Sequence, residues 1–174
     1  MIELLHNYRL LVHKVDQFCQ QTTTTYAAHI ICSPGCDNCC RHLSLFPVEA
    51  FAVASALQEA AAPERAVLRR RASEADLQGT CPLLLNKQCG LYDARPLICR
   101  THGLPLVTAI EGNRRVDCCP LNFQGLDSLP GDSVLDLDRL NETLVAVNAL
   151  FVSSCTGRAF PERLTMAEAL LLFE

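Results

Sequence analysis

Nine of the eleven cysteines in this 174-residue chain fall into three short groups. The groups are a run of four thiols within nine residues, a set of three and a final doublet: Cys32, Cys36, Cys39 and Cys40; Cys81, Cys89 and Cys99; Cys118 and Cys119. A loop with such spacing can direct several sulfurs at one centre, as C-x2-C and C-x3-C runs do around zinc and iron–sulfur clusters. The nine thiols are therefore candidate ligands of a soft metal ion or an iron–sulfur cluster.

The two doublets limit how these thiols can share a centre. Neighbouring residues direct their side chains differently, so Cys39 and Cys40 do not readily bind one tetrahedral ion together. Either one thiol of each doublet is a spectator, or each doublet serves two centres. A first interpretation joins Cys32, Cys36 and Cys39 into one ligand set that the second group completes. The number of sites, one or two, and the roles of Cys40 and of the last doublet stay open.

The spacing bears on the identity of the metal only in part. Four thiolates around Zn²⁺ make a closed structural site that holds loops together. The C-x3-C-x2-C run of Cys32, Cys36 and Cys39 is similar instead to the three-cysteine motif of radical S-adenosylmethionine enzymes, whose cluster keeps one iron open to the cofactor. That similarity covers only these few residues, and the chain is too short and too helical for the partial barrel of those enzymes. The run and the surplus of thiols favour a [4Fe–4S] cluster slightly over zinc.

Other residues near the cysteine groups are expected to support the centre rather than to bind it. Cations stand beside all three groups and can offset the charge of anionic sulfurs: Arg41, Lys87, Arg95, Arg100, Arg114 and Arg115. His42 and His102 are interpreted as polar neighbours or hydrogen-bond donors to the ligands, because sulfur is abundant. Cys19 and Cys155 lie in helical stretches and are predicted to be core residues, since free cysteine behaves as a small hydrophobe.

Composition and charge narrow the class of protein. The net charge of −4 and a pI near 5.7 argue against a nucleic acid as partner. Charged residues interrupt the apolar ones in the N-terminal stretch "MIELLHNYRLLVHKVDQFCQ", so we expect no secretory signal, and no apolar run is long enough to span a membrane. These features predict a cytoplasmic protein whose thiols stay reduced and can bind metal. One domain over residues 1–174 is the simplest organisation.

Apolar spacing predicts helices over most of the chain and short strands near the cysteines. Helices are predicted at 2–29, 47–62, 63–76, 94–102, 135–155 and 166–174, with two extended pieces in "CPLLLNKQCGLYD" and a hairpin that turns at 111–113. The threonines at 22–25 are expected to fray or break the first helix, Asp93 or a neighbour to cap the fourth, and Thr165 to cap the last. The predicted fold class is α+β, mainly α, with helices packed around a small cysteine-rich region that has short β-hairpin strands and with the cysteine groups outside the helices.

Two blocks of the sequence resemble a known family. "CSPGCDNCC", followed by a capped helix that contains Glu49, and then "CPLLLNKQCGLYDARPLICR" resemble the YkgJ-type CxxxCxxCC cysteine-cluster family of zinc- or iron-chelating domains. The matching blocks run from Cys32 to Glu49 and from Cys81 to Arg100, with Cys118 or Cys119 as a later member. The resemblance implies metal chelation. Flagellin lysine N-methylases are similar to this family in their cysteine pattern, which adds methyl transfer to protein lysine as an implied activity.

Three functions are compatible with these observations. The favoured one is a non-enzymatic metal- or cluster-binding protein with a role in redox, metal handling or sensing. The alternatives are a cluster-dependent, methyltransferase-like enzyme that modifies proteins and a zinc-stapled interaction module. A site with three protein sulfurs beside a pocket would favour the enzyme, and complete four-thiolate shells would argue against it. The sequence identifies no catalytic residue, substrate or protein partner.

Overall fold

The computed structural model describes residues 3–33, 35–157 and 159–173. Within those ranges it contains six α-helices: α1 (His6–Thr25), α2 (Pro47–Glu59), α3 (Ala62–Ser73), α4 (Leu97–Thr101), α5 (Leu137–Ser154) and α6 (Met166–Leu171). Short strands lie between them: β1 (Ser44–Leu45), β2 (Leu84–Leu85), β3 (Gln88–Cys89), β4 (Leu106–Ile110), β5 (Asn113–Asp117), β6 (Leu135–Asp136) and β7 (Leu164–Thr165). The predicted class, α+β and mainly α, is confirmed.

Helix α2 lies between two hydrophobic cores and belongs to both. In the first core, α2 and α3 both pack against α6, and Leu57 and Leu68 are almost fully buried. In the second core, α2 packs with α1, α4 and α5, and Tyr8, Phe51 and Leu97 are buried there. Burial of this apolar surface stabilises the arrangement. The cysteine loops are therefore attached to a frame in which α1, α2 and α4 have fixed positions.

The predicted starts of three helices are confirmed. Pro47 and Pro63 lie in the first turns of α2 and α3, where the missing proline N–H would have no helical partner in any case. The Thr165 hydroxyl accepts a hydrogen bond from the Glu168 N–H (3.1 Å), and the Glu168 carboxylate accepts one from the Thr165 N–H (2.7 Å). These reciprocal bonds form a capping box at the start of α6.

The small sheets include the two predicted hairpins. Strands β2 and β3 pair across Asn86 and Lys87, whose φ angles are 49° and 64°. Strands β4 and β5 pair across Glu111 and Gly112, whose φ angles are 50° and 79°. Positive φ at both central residues is typical of the tight turns that match the twist of a hairpin. Strand β6 adds to β4 in parallel, and β1 pairs antiparallel with β7.

The predicted break of the first helix at its threonines is wrong. Helix α1 continues through all four threonines and ends at Thr25. Thr22 is only 3% exposed, and the Thr23 hydroxyl donates a hydrogen bond to the Cys19 carbonyl (2.8 Å). Packing and this bond outweigh the low helix propensity of the β-branched residues. No helix in the described ranges combines the length and the apolar character that a membrane crossing needs.

Two predictions about the fourth helix are also wrong. Asp93 does not cap α4, because Pro96 is the N-cap residue and the Leu97 N–H is bound by the Glu49 carboxylate instead (3.1 Å). Cys99 lies inside α4, although the cysteine groups were expected to lie outside the helices. The helix predicted over 94–102 already contains Cys99, so the two predictions for this segment are inconsistent. The bond from the Leu97 N–H to Glu49 has no local signal, because its two residues are distant in sequence.

Candidate metal centre

One cavity of about 700 Å³ brings most of the cysteines together. Helix α1, the first cysteine loop, the β2–β3 hairpin and α4 form its walls. Eight of the eleven cysteines line it: Cys19, Cys32, Cys36, Cys39, Cys40, Cys81, Cys89 and Cys99. Four of the six cations that neighbour the cysteine groups line it as well: Arg41, Lys87, Arg95 and Arg100. Arg114 is elsewhere, on β5, where it pairs with Asp136 (3.2 Å).

Backbone pairing places Cys40 beside Cys81. The Cys81 N–H donates to the Cys40 carbonyl (3.1 Å), and the His42 N–H donates to the Gly79 carbonyl (3.1 Å). Between these bonds, residues 41 and 80 form an antiparallel bridge. The end of the first cysteine group is thus fixed against the start of the second.

The β2–β3 hairpin adds Cys89 to this pair. The Leu84 N–H donates to the Cys81 carbonyl (3.0 Å), and Leu84 is paired with Cys89 across the hairpin. At the open end of the hairpin, the Gly90 N–H donates a hydrogen bond to the Leu83 carbonyl (2.8 Å). Cys81 and Cys89 therefore lie at the same end of one hairpin, and α4 contributes Cys99 to the same cavity wall.

Cys40, Cys81, Cys89 and Cys99 act on one another's pKa values, and we call these four residues the inner thiol group. The pKa of Cys99 is raised to about 12, mainly by burial and then by the charges of Cys81, Cys89 and Cys40. Burial raises the pKa of Cys81 to about 11, with the charges of Cys89 and Cys40 acting in the same direction. Burial also raises the pKa of Cys40, and the charge of Cys89 contributes. Every pair among the four thiols therefore interacts.

The structure thus fixes Cys40 beside the second cysteine block, while its thiol also interacts with Cys39 and Cys36 of the first block. Cys32 and Cys36 line the same cavity but are exposed. Cys118 and Cys119 are half-buried on the segment that follows β5. Cys19 lines the cavity from α1, and Cys155 packs against the second core. The two thiols of the first doublet hydrogen-bond to each other and line the same cavity.

Glu49 fixes the position of the helix that carries Cys99. Its side chain is buried, with the residue 3% exposed, and the carboxylate accepts hydrogen bonds from the Phe46 N–H (3.3 Å) and the Leu97 N–H (3.1 Å). Burial raises the pKa of Glu49, and the two backbone bonds oppose that rise. The Glu49 carboxylate thus links the starts of α2 and α4. It accepts hydrogen bonds from N–H groups that have no partner within their own helix.

Arg100 holds the other side of α4 against α1. Its Nη1 donates to both carboxylate oxygens of Asp16 at 2.8 Å, and the Arg100 side chain is 8% exposed. Its Nε donates to the Arg95 carbonyl (2.7 Å), and its Nη2 donates to the Asp93 carbonyl. The Arg95 guanidinium stacks on the exposed Tyr92 ring, 3.4 Å from its centroid. These contacts order the segment between β3 and α4.

His42 has a structural role in this fold. Its Nδ1 lies 2.9 Å from the Asp76 carbonyl, and its Nε2 lies 3.2 Å from the Ala167 N–H. These partners assign the neutral tautomer with the proton on Nδ1. Because both ring nitrogens are engaged by backbone groups, His42 supports the loop beside Cys40. His102 lines the cavity.

Asn122 links three segments near the exposed cysteines and was not predicted. Its Oδ1 accepts hydrogen bonds from the Ile31 N–H (2.9 Å) and the Cys32 N–H (3.3 Å), and its Nδ2 donates to the Gly103 carbonyl (2.9 Å). Its own N–H donates to the Cys119 carbonyl (2.9 Å), and the residue is 4% exposed. No sequence signal marks Asn122, because its partners are distant in the chain.

Replacing Asn122 by alanine is expected to destabilise the protein by about 2–3 kcal/mol, because two N–H groups and one carbonyl lose their partner. For a chain of this size the thermal midpoint should fall by roughly 4–12 °C. The exposed Asn141 on α5 is the matched control, and its alanine variant should change the free energy of unfolding by less than about 0.5 kcal/mol. Equal midpoints for both variants in a calorimetric scan would contradict the role of Asn122.

The donor set fits a metal that prefers sulfur. Thiolates bind zinc and iron–sulfur clusters, and nearby arginines offset the anionic charge that metal binding creates. In residues 3–33, 35–157 and 159–173, no three His, Cys, Asp or Glu side chains already have the geometry of a bound ion. Metal binding would therefore draw the thiols of the inner thiol group closer together.

Fold and site together define a thiol-rich chelating domain on a mainly helical scaffold. A family model named CxxCxxCC, described as "Putative zinc- or iron-chelating domain", matches residues 31–121, which is more than half of the chain. The chain belongs to this family, and the predicted family resemblance is confirmed. The matched residues include all nine candidate ligands. Neither a curated protein nor a solved structure matches the chain.

Proposed function

We propose that this protein binds one metal centre through Cys40, Cys81, Cys89 and Cys99, and that the centre is a [4Fe–4S] cluster used in redox, metal handling or sensing. The observation that carries the proposal is the meeting of four thiols from three chain segments at one cavity wall. Four thiolates are the complete ligand set of a [4Fe–4S] cluster or of a structural zinc ion. Membership in a zinc- or iron-chelating family supports metal binding.

The surplus of thiols favours the cluster. Eight cysteines line the cavity, whereas four thiolates close a structural zinc site. When bound, the cluster supplies one-electron redox chemistry, and Arg95 and Arg100 at the wall influence its potential through their charge.

Metal binding through thiolates requires reduced cysteines. We therefore place the protein in a reducing compartment, the cytoplasm.

Anaerobic purification followed by metal and sulfide analysis and a visible spectrum tests this proposal. A brown protein with about equal amounts of iron and acid-labile sulfide is the expected result. A colourless protein with one equivalent of zinc and no iron would replace the cluster with a structural zinc site. A protein with no metal and with disulfide-paired cysteines would overturn metal binding altogether.

The raised thiol pKa values predict how metal binding depends on pH. With pKa values of about 11 for Cys81 and about 12 for Cys99, and raised values for Cys40 and Cys89, the metal-free inner thiol group is protonated at pH 7. Binding one ion should therefore release about four protons, and affinity should increase by up to roughly 10⁴ per pH unit. Metal should be held more tightly as pH rises and should be lost on acidification.

Calorimetric titration of the metal-free protein with Zn²⁺ in two buffers of different ionisation enthalpy measures this proton count. A release of about four protons agrees with four thiol ligands. A release of fewer than two would mean that most of the four thiols are not ligands.

A further inference from the structure

We propose that the cavity also binds a small dianion, a dicarboxylate or a phosphate, through Arg41, Lys87 and Arg95. This ligand goes beyond the proposed function, because its binding does not require the metal. The inference rests on the sign of the charges that line the cavity, on the hydrogen-bond donors that these three side chains leave free, and on the contacts that fix their positions.

The charge of the cavity is opposite to that of the chain. The chain has 15 Lys and Arg residues and 19 Asp and Glu residues, so acids outnumber cations overall. Among the described residues, four cations line the cavity but only one acid does, Asp16. Asp16 is paired with Arg100 (2.8 Å). The positive charges of Arg41, Lys87 and Arg95 are therefore not compensated by an acid of the cavity wall.

These three side chains have free hydrogen-bond donors. Within residues 3–33, 35–157 and 159–173, the charged ends of Arg41 and Lys87 make no hydrogen bond or ion pair. Arg95 uses its Nε for the Tyr92 carbonyl (2.8 Å), and its Nη1 and Nη2 have no hydrogen-bond partner among the same residues. The two Nη groups of a guanidinium form a planar fork that fits a carboxylate or a phosphate.

Arg95 is held close to three walls of the cavity. Its guanidinium stacks on the Tyr92 ring, 3.4 Å from the centroid. Burial raises the pKa of Cys19, Cys89 and Cys99, and the charge of Arg95 opposes that rise in all three thiols. These thiols belong to α1, to the β2–β3 hairpin and to α4. A ligand that enters between these walls would therefore meet the Arg95 guanidinium.

The backbone fixes the other two cations at the cavity wall. Arg41 forms the antiparallel bridge to Thr80 that joins the first and second cysteine segments. Lys87 lies in the tight turn of the β2–β3 hairpin, with a φ of 64°. Both residues are exposed, so a ligand can reach them from solvent. Because these backbone positions exist before a ligand binds, little ordering of the chain opposes binding.

The cavity has the size and the surroundings of a small-molecule site. Its volume of about 700 Å³ lies within the range of such sites, roughly 300–1,000 Å³. Leu43, Leu83 and Leu104 line it together with the cations. Apolar walls lower the local dielectric constant, which strengthens hydrogen bonds between charged groups. Two negative charges on the ligand would offset most of the charge of the three cations.

Arg115 provides a matched control variant. It is exposed on β5 and is not among the residues that line the cavity. Arg95→Gln and Arg115→Gln therefore remove the same charge from inside and outside the proposed site. Arg95→Lys keeps the charge but loses the planar fork. Lys87→Gln removes a second cation at an exposed turn, where the side chain makes no contact that stabilises the fold.

The test is a calorimetric titration of the anaerobically purified protein with three probes at constant ionic strength: succinate, inorganic phosphate and the neutral diamide succinamide. We expect one site for succinate or phosphate and no binding of succinamide. The anion that binds more tightly distinguishes a dicarboxylate from a phosphate ligand. Arg95→Gln should weaken binding at least about tenfold, because charged hydrogen bonds are lost. Arg95→Lys and Lys87→Gln should weaken it about threefold, and Arg115→Gln by less than about twofold.

The inference is overturned if neither anion binds or if succinamide binds as tightly as succinate. It is also overturned by an unchanged dissociation constant in Arg95→Gln, or in Lys87→Gln where Arg95→Gln does not fold. Loss of metal from the wild type during the titration would mean that the anion acts as a chelator, which overturns a site on the protein. Failure of the proposed function is a different result, namely a wild type that contains no metal, and the anion would still bind to it.

Discussion

Replacing Cys99 by serine is expected to remove the resident metal and to cause the largest loss of stability of any single change considered. Metal content should fall from about one centre per chain to less than about a tenth of that. Thiolate sites that tie loops together can contribute on the order of 10 kcal/mol to folding, so the thermal midpoint should fall by more than roughly 10 °C. Metal analysis of the anaerobically purified variant and a calorimetric scan measure both effects.

Cys19 is the matched control for this experiment. It lines the same cavity from α1, and its Sγ lies 3.5 Å from the Arg100 carbonyl. The main charges that act on its thiol are those of Asp16, Arg95 and Arg100 and not those of other cysteines. A serine at position 19 can keep the hydrogen bond, so Cys19→Ser should retain the metal. Equal loss of metal in Cys19→Ser and Cys99→Ser would contradict the assignment of the inner thiol group.

Replacing Glu49 by alanine is expected to lower the free energy of unfolding by about 3 kcal/mol. The change removes the acceptor of the Phe46 and Leu97 N–H groups and leaves both unpaired at a buried position. The thermal midpoint should fall by roughly 6–12 °C. Because Leu97 begins the helix that carries Cys99, metal affinity should fall as well, although Glu49 is not a ligand in this account.

Two further variants distinguish the role of Glu49 as a hydrogen-bond acceptor from a general effect of its charge. Glu49→Gln keeps an acceptor for at least one of the two N–H groups, so it should recover part of the lost stability and of the metal affinity. Glu59 is exposed at the end of the same helix, and Glu59→Ala should change stability by less than about 0.5 kcal/mol. A Glu49→Ala protein with unchanged stability and affinity would show that Glu49 does not position α4.

Local signals explain most of what the sequence predicts correctly about the fold. Pro47, Pro63 and Thr165 mark helix starts because each suits the first turn or the cap of a helix wherever the helix packs. The hairpin at Glu111 and Gly112 follows from residues that tolerate positive φ. The threonines of α1 mislead for the opposite reason, since their low propensity is outweighed by the burial of Thr22 against the rest of the protein.

The sequence predicts which cysteines form the candidate site, but it does not predict which of these thiols lie together in the fold. The abundance and spacing of the cysteines indicate metal binding from the sequence alone. The association of Cys40 with Cys81 depends on backbone pairing between distant segments, and the placement of Cys99 depends on Glu49 and Arg100. Such long-range contacts have no periodic signature in the sequence.

X-ray absorption at the metal edge of the anaerobically purified protein tests the central claim most directly, because it counts the sulfur ligands of the centre. We expect four sulfur ligands per metal atom at about 2.3 Å, with additional iron–iron scattering from a cluster. Replacement of Cys81 by serine should abolish the signal. A first shell dominated by nitrogen or oxygen, or an unchanged four-sulfur shell after loss of Cys81, would contradict the account.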